Sequence, residues 1–328
     1  MYHKLAYIGK IVDINSIDGA DFIVSANVVC GEGGKWMGTV KKDEFKIDDL
    51  VEVYLQDSIL PETERYEFLR NSNFRIRMRK FKGVPSECLI MPVDLDCVSC
   101  NIGDSIAEMK GVKKYVKELS ASLGGVAIGF FPTNLIPKTD EPNFQTVEYM
   151  VDALKGQRYY ATVKADGSSG TIYRNGDHFG CCSRNLEFKK NDKTAVWKIA
   201  EKYDLENILP DGYAIQFEIC GPGVEKNKLS LKEIDGLIFN VWNIKERKYL
   251  DAEDNFKFVE MIKMSTVDVE VWDEMFDIAN DSELRKMAEG KYISSGKTRE
   301  GLVFRPMKEQ FVVYERLSFK VINLMYKD

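Results

Sequence analysis

The sequence predicts a two-part α+β protein, a small β-barrel followed by a larger mixed domain. Two patterns carry that expectation. Over residues 1 to about 95, short alternating runs recur between turn signals, the spacing of a small OB-like barrel. From residue 156 onward, strand patterns are interleaved with stretches of helical periodicity. With 328 residues, 44% of them hydrophobic, the chain is long enough to bury two cores. The boundary is expected near residue 125, giving domains over 1–125 and 126–328.

Composition narrows the function classes. A formal net charge of −6 does not advertise a nucleic-acid partner, although a local basic face is compatible with it. There is no run of 18 apolar residues, hence no expected membrane span. Met1-Tyr2-His3-Lys4-Leu5 lacks the apolar region of a signal peptide. Seven cysteines, an odd number, suggest reduced thiols and a cytoplasmic setting. Cys97-Val98-Ser99-Cys100 has Cys88 as its one nearby candidate partner, and His3 and His178 are the two histidines. It therefore reads as structural thiols rather than a zinc or redox site.

In the first domain, strands are expected over Tyr7 to Val12, Phe22 to Val29, Lys35 to Val40 (after Gly31-Glu32-Gly33-Gly34) and Asp49 to Leu55. Phe74 to Lys82 alternates apolar and basic residues. On one strand this would place Arg75, Arg77 and Arg79 on a single face, about 7 Å apart. That spacing fits successive phosphates of a nucleic acid, or an edge strand protected by charge. Residues 96 to 150 read as connection: a short helix over Lys113 to Leu119, a small flexible stretch over Ser120 to Gly129, and an extended segment from Phe131 to Pro142 held by three prolines. A helix over Val147 to Lys155 would turn Tyr149, Met150, Ala153 and Leu154 inward.

In the second domain, Tyr159 to Gly170 begins as an alternating strand and ends in a Gly/Ser turn, with Lys164 at the junction. A lysine amine is nucleophilic once its pKa falls from about 10.4, and Asp166, two residues on, would face a metal or a ribose. Taken alone, the stretch reads more readily as a surface lysine before an Asp-Gly turn. Asn175-Gly176 between two β runs signals a hairpin. A two-residue turn there would set Arg174 opposite Asp177, Ile172 opposite Phe179 and Gly167 opposite Arg184. A helix runs from an Asn191-Asp192 cap to Tyr203. Strands follow over Tyr213 to Glu218, which Gly221-Pro222-Gly223 terminates, and over Leu237 to Ile244. Helices near Asn255 to Met264 and Ser282 to Ala288 precede strands at Glu300 to Arg305 and Leu317 to Asn323.

Six short motifs stand in order: Lys164-Ala165-Asp166-Gly167, Ser183-Arg184-Asn185, Phe217-Glu218-Ile219-Cys220-Gly221, Phe239-Asn240-Val241-Trp242, Glu300-Gly301-Leu302-Val303 and Ser318-Phe319-Lys320. The series resembles that of the ATP-dependent polynucleotide ligases and mRNA capping enzymes. The finer likeness is to RNA ligases, whose last motif is commonly Ser-Phe-Lys and whose linker is similar to Pro137-Lys138-Thr139-Asp140-Glu141. The layout resembles the fifth RNA-ligase family, with an OB module before the nucleotidyltransferase domain and no domain after it. DNA ligases and capping enzymes carry that module behind the last motif, where five residues after Asn323 would not form one.

The resemblance implies an ATP-grasp-like antiparallel-sheet nucleotidyltransferase domain. It further implies an ATP-dependent RNA ligase that joins 3′-OH and 5′-phosphate RNA ends, at nicks in a duplex, as a monomer with ATP and Mg²⁺ or Mn²⁺. Lys164 would be the nucleophile. Lys320 would hold the α-phosphate and lower the pKa of Lys164 by like-charge repulsion. Arg184, Glu218, Phe239, Trp242 and Lys320 would bind the nucleotide, with Phe239 the first choice for stacking on adenine. Asp166, Glu218 and Glu300 would hold the metal, and Arg75, Arg77 and Arg79 the RNA. Two positions depart from the pattern. Ile322 stands where many relatives have a second lysine, leaving Lys138, Arg299 or the basic face to supply that charge, and Pro142-Asn143 replaces a basic residue in the linker. A guanylyltransferase, a DNA ligase and a non-catalytic OB-type RNA-binding protein are the rival readings.

Overall fold

The computed structural model describes residues 5–31, 34–115, 125–312 and 315–327. The chain divides into two compact units, Met1–Glu118 with Gln145–Glu148, and Leu119–Phe144 with Tyr149–Asp328.

The first unit is built on a five-stranded antiparallel sheet in the spatial order Lys35–Lys41, Ile23–Val29, Ala6–Ser16, Leu50–Leu55, Cys88–Pro92. Its two ends nearly close into an OB-type barrel. The Glu87 N–H donates to the Met37 carbonyl at 2.7 Å, and the Thr39 N–H donates to Ser86 Oγ at 2.9 Å. Alternation along Ala6–Ser16 feeds two cores: Tyr7 and Ile11 pack with Val28, Trp36 and Val53, while Ala6 and Ile8 pack with Tyr54, Leu60 and Ile106. Among the described residues, one trio of metal-ligand-type atoms lies within 4.8 Å, formed by Glu52, Asp96 and Cys97. A cation already fills it, since Lys110 Nζ is 2.8 Å from Glu52 and 2.5 Å from Asp96.

The basic stretch departs from expectation. Phe74 to Lys82 is not one strand: Arg75 makes an isolated bridge with Ile59, and only Arg79–Phe81 forms a short strand, paired with Val84–Ser86. Arg75 is ion-paired to Asp57 at 2.5 Å, and its guanidinium lies 3.5 Å from the Tyr115 ring centre. Its charge is thus spent within the unit, while Arg77 and Arg79 remain exposed. Of the helix expected over Lys113 to Leu119, Lys113–Lys114 is a strand paired with Ser58–Ile59, and residues 116–119 lie outside the described residues. So do residues 120–124 of the small stretch; Ala127–Phe130 beyond them is a strand.

The second unit is built on two main sheets, antiparallel except that Ser265–Thr266 pairs parallel with Asp235–Asn243 at the side of the larger one. The larger runs Ala127–Phe130, Leu186–Phe188, His178–Ser183, Ser168–Asn175, Tyr213–Cys220, Asp235–Asn243, Lys248–Tyr249. The smaller runs Val269–Met275, Arg158–Val163, Gly301–Pro306, Phe319–Ile322. Helices Ala195–Lys202 and Ala252–Met261 contribute Val196, Trp197, Ile199, Phe258 and Val259 to the core over the larger sheet, against Ile172, Ile215, Phe217 and Val241. The Glu148–Leu154 helix buries Met150 and Leu154 but leaves Tyr149 39% exposed, because the tyrosine hydroxyl donates to Glu315.

The hairpin exists, but its turn is Gly176-Asp177, with Asn175 opposite His178 and Ile172 opposite Cys181. Gly176, at φ +61°, takes the first turn position, as in a II′ turn, and its N–H is held by Asp211 Oδ1 at 2.7 Å. The expected register is therefore off by two, which preserves which face each side chain occupies. Arg184 then follows the last pair, Gly170 with Ser183, rather than standing opposite Gly167. Among the described residues no helix is long and apolar enough to cross a membrane.

Candidate active site

Lys164 ends the Arg158–Val163 strand of the smaller sheet, and Ser168 begins a strand of the larger one. The chain therefore crosses between the sheets through Ala165, Asp166 and Gly167. The Lys164 N–H donates to the Gly301 carbonyl at 2.9 Å, which keeps the lysine in the ladder. A Cβ at Gly167 would meet the Ile219 carbonyl oxygen at 2.2 Å, and one at Gly301, where φ is +156°, would meet the Val321 oxygen at 2.1 Å. Both glycines are required by close backbone approach, and both set the position of Lys164.

Lys164 Nζ lies 2.8 Å from Glu300 Oε1. Burial pulls the lysine pKa down, but Glu300, Glu218 and Asp166 outweigh it and push it up to about 12. The carboxylates thus prevail over the like-charge depression expected from Lys320, and the net shift of the ammonium is upward. Glu218 feels the same crowding. Burial raises its pKa, Lys164 lowers it, and Glu300 and Asp166 raise it again, to about 7. Asp166, Glu218 and Glu300 do not close into a tight trio, which suits a hydrated Mg²⁺ that keeps its waters and takes few carboxylates directly.

Lys320 lies opposite Val303, which lies opposite Thr162. Strand alternation puts Lys320 on the same face of the smaller sheet as Thr162 and Lys164. The opposite face is apolar, with Tyr159, Phe276, Phe304 and Phe319 ring against ring. Phe239 sits half-buried at the register shift between the strands Tyr213–Cys220 and Asp235–Asn243. Trp242 is a core residue instead: it is 6% exposed, its indole N–H donates to the Leu135 carbonyl at 2.9 Å, and it packs edge-on against Tyr249. Arg184 pairs with Asp140 at 2.5 Å, beside Lys138, whose ammonium donates to Asn185 Oδ1 at 2.9 Å.

Of the candidates to replace the lysine missing at Ile322, Arg299 is excluded. It is 3% exposed, paired with Glu270 at 2.6 Å, and donates to the carbonyls of Met287, Ala288 and Glu289. The Pro142-Asn143 linker instead makes backbone contact, the Pro142 carbonyl accepting from the Lys320 N–H at 2.8 Å.

Two features go beyond what the sequence indicated. Tyr292 donates through its hydroxyl to the Lys164 carbonyl at 3.0 Å and accepts from the Glu300 N–H at 3.1 Å. It lies outside every motif, in a loop whose sequence has no periodicity. The linker, second, threads a polar network. Gln216 donates to the Pro137 carbonyl at 2.8 Å. Glu141 accepts from Arg305 at 2.8 Å and lies 3.9 Å from Arg316, and Arg316 donates to Asn240 at 2.9 Å. Burial raises the Glu141 pKa, but the two arginines reverse this and hold it below the usual value.

A family model for RNA ligase matches residues 157–322, and an OB-fold domain model matches residues 5–93. Among curated proteins none matches. Solved structures of the Naegleria gruberi RNA ligase are similar along nearly the whole chain. The structure with PPi is 30% identical, at a TM-score of 0.81, covering 98% of this chain and 97% of that one. A mutant with ATP and Mn gives 30%, 0.79, 98% and 96%, and a mutant with AMP and Mn gives 30%, 0.81, 98% and 97%. The ordered motifs, the two-sheet architecture around Lys164 and these matches agree: the chain belongs to the RNA ligase family.

Proposed function

We propose that this chain seals nicks in RNA-containing duplexes, joining a 3′-OH to a 5′-phosphate through a lysyl-AMP intermediate, as a cytoplasmic monomer. The observation that carries the reading is Lys164, held at a strand end with Glu300, Glu218 and Asp166 around its amine. The resemblance of the fold to a mutant RNA ligase solved with ATP and Mn supports ATP as the nucleotide.

In the first step, the lone pair of a deprotonated Lys164 Nζ attacks the α-phosphorus of ATP. An N–P bond forms, the α–β P–O bond breaks, and pyrophosphate leaves with the electron pair. An oxygen of the RNA 5′-phosphate then attacks that phosphorus, the N–P bond breaks and Lys164 leaves as the amine. The RNA 3′-OH next attacks the 5′-phosphorus, its proton passes to solvent, and AMP leaves with the P–O electron pair. Lys320, on the face of Lys164, is suited to hold the α-phosphate as equatorial charge builds. Asp166, Glu218 and Glu300 would hold a divalent cation, which would supply positive charge at the phosphate and compete with Lys164 for these carboxylates. Arg184, now paired with Asp140, is assigned to the ribose, and the half-buried Phe239 to stacking on adenine.

The test is intact mass after incubation with Mg²⁺ and ATP or GTP. An AMP-sized gain with ATP that Lys164→Ala abolishes is expected; a gain with GTP alone moves the chain to capping-type chemistry. Sealing of a nicked duplex faster than of free RNA ends is the second expected result. Equal rates remove the nick preference.

A further inference from the structure

Ile322 stands where the resemblance leads one to expect a second lysine, and the structure places Lys228 next to Asp166. Lys228 Nζ lies 4.0 Å from Asp166 Oδ2 and is 13% exposed. It sits 3.6 Å from the ring centre of Tyr326, a cation–π distance, and donates to the Lys327 carbonyl. The loop presenting it is strained, with Glu225, Asn227 and Ser230 all at positive φ. Such strain in non-glycine residues persists where the surroundings impose it. Tyr326 is held from the other side. Its N–H donates to the Asn323 carbonyl, and the Asn323 N–H donates to that of Glu300.

Tyr326 adds a second observation. It is 3% exposed and its hydroxyl faces Asp166, yet it completes no hydrogen bond of good geometry. A buried unsatisfied hydroxyl is costly and marks a position that a ligand can complete. The ammonium of Lys228 offers donors alone and the Tyr326 hydroxyl offers one, so the complementary group is an oxygen anion.

We propose that Lys228 and Tyr326 bind a phosphate oxygen of the substrate, supplying the contact that Ile322 does not. The proposal rests on the lysyl-AMP reading above. Two phosphates share this chemistry, the pyrophosphate leaving group of ATP and the 5′-phosphate of RNA. An amine close to Asp166 would neutralise charge on either as it approaches Lys164.

The experiment uses Lys228→Met and Tyr326→Phe in the full chain. Each is assayed for lysyl-AMP formation, for its reversal by inorganic pyrophosphate, and for AMP transfer from pre-adenylylated enzyme to 5′-phosphorylated RNA. Binding of pyrophosphate to Lys164→Met protein, with and without Lys228→Met, is measured by calorimetry. If the ligand is the leaving group, Lys228→Met raises the pyrophosphate KM and weakens its binding by about 10- to 100-fold, while transfer to RNA changes less than about twofold. If it is the RNA phosphate, the transfer step alone falls. Tyr326→Phe, which keeps the ring and its packing, shows a smaller loss in the same step, and Lys228→Arg restores part of it. The proposal is overturned if both variants match the unaltered enzyme in all steps, or if all steps fall by one common factor, as expected of a mere counter-ion to Asp166. Absence of lysyl-AMP in the unaltered protein would instead sink the ligase chemistry itself.

Discussion

Lys164 Nζ and Glu300 Oε1 form an ion pair of 2.8 Å, which favours the protonated ammonium of the nucleophile. Glu300→Gln should lower the Lys164 pKa from about 12, since it removes the strongest of the acids that raise it. NMR of ¹³C-methylated lysine across a pH series reads this directly. A pKa unchanged or raised in that variant would contradict the assignment.

Glu218 supplies the pH dependence. Its pKa is raised to about 7, so its carboxylate is ionised above that pH and protonated below it. At limiting Mg²⁺, lysyl-AMP formation should fall as pH drops through about 7, and excess Mg²⁺ should recover much of it. Glu218→Gln should be slow at every pH and lose that inflection. An inflection that persists in the variant would assign it to another group.

Glu141 lies between Arg305 and Arg316. Removing it leaves the buried Arg305 guanidinium without its carboxylate, while Arg316 keeps Glu309, and Glu141→Ala should destabilise the second unit by about 3–5 kcal/mol. Because its pKa is lowered in the folded state, the stability it contributes is present above the unfolded carboxylate pKa and is lost as pH falls through the folded one. Denaturant titrations at neutral and acid pH measure both; an equal loss at the two would refute the linkage.

Tyr292→Phe removes one hydroxyl that serves two backbones, the Lys164 carbonyl and the Glu300 N–H. A loss of about 1–3 kcal/mol in stability is expected. Lysyl-AMP formation should fall with the ATP KM little changed, because the reacting amine loses its placement rather than the nucleotide its contacts. A change confined to KM would point to a nucleotide-binding role instead.

In the first unit, Arg77→Ala with Arg79→Ala should slow sealing while leaving self-adenylylation intact, as removal of phosphate contacts predicts. Arg75→Ala should lower the thermal midpoint, because it loses both the Asp57 pair and the Tyr115 stack. Adenylylation lost in the Arg77/Arg79 variant would remove this stretch as an RNA contact.

Much of this was legible before the structure. The strand patterns of the barrel and of Tyr213–Cys220 hold, because half-buried strands declare themselves by alternation. The motif residues Lys164, Glu218 and Glu300 do come together. What failed was set by tertiary context. Alternation from Phe74 to Lys82 reads as one strand, but Arg75 found a better partner in Asp57 and Tyr115. Trp242 reads equally as a base platform or a core residue, and only the Leu135 carbonyl decides. Asn175-Gly176 reads as the turn, while the Asp211 carboxylate pins the next pair instead. Tyr292, Lys228 and Tyr326 belong to loops where no periodicity exists to be read, and their roles come from which distant backbone or carboxylate they meet.

The crossing through Ala165, Asp166 and Gly167 has one more effect. Because so short a tether joins the two sheets, the amine of Lys164 cannot keep its place if either sheet shifts against the other. Catalytic rate therefore acts as a gauge of how well the sheets are seated. Ile172→Val or Phe304→Leu, each at a fully buried position, should register as a slower enzyme well before it registers as a melted one.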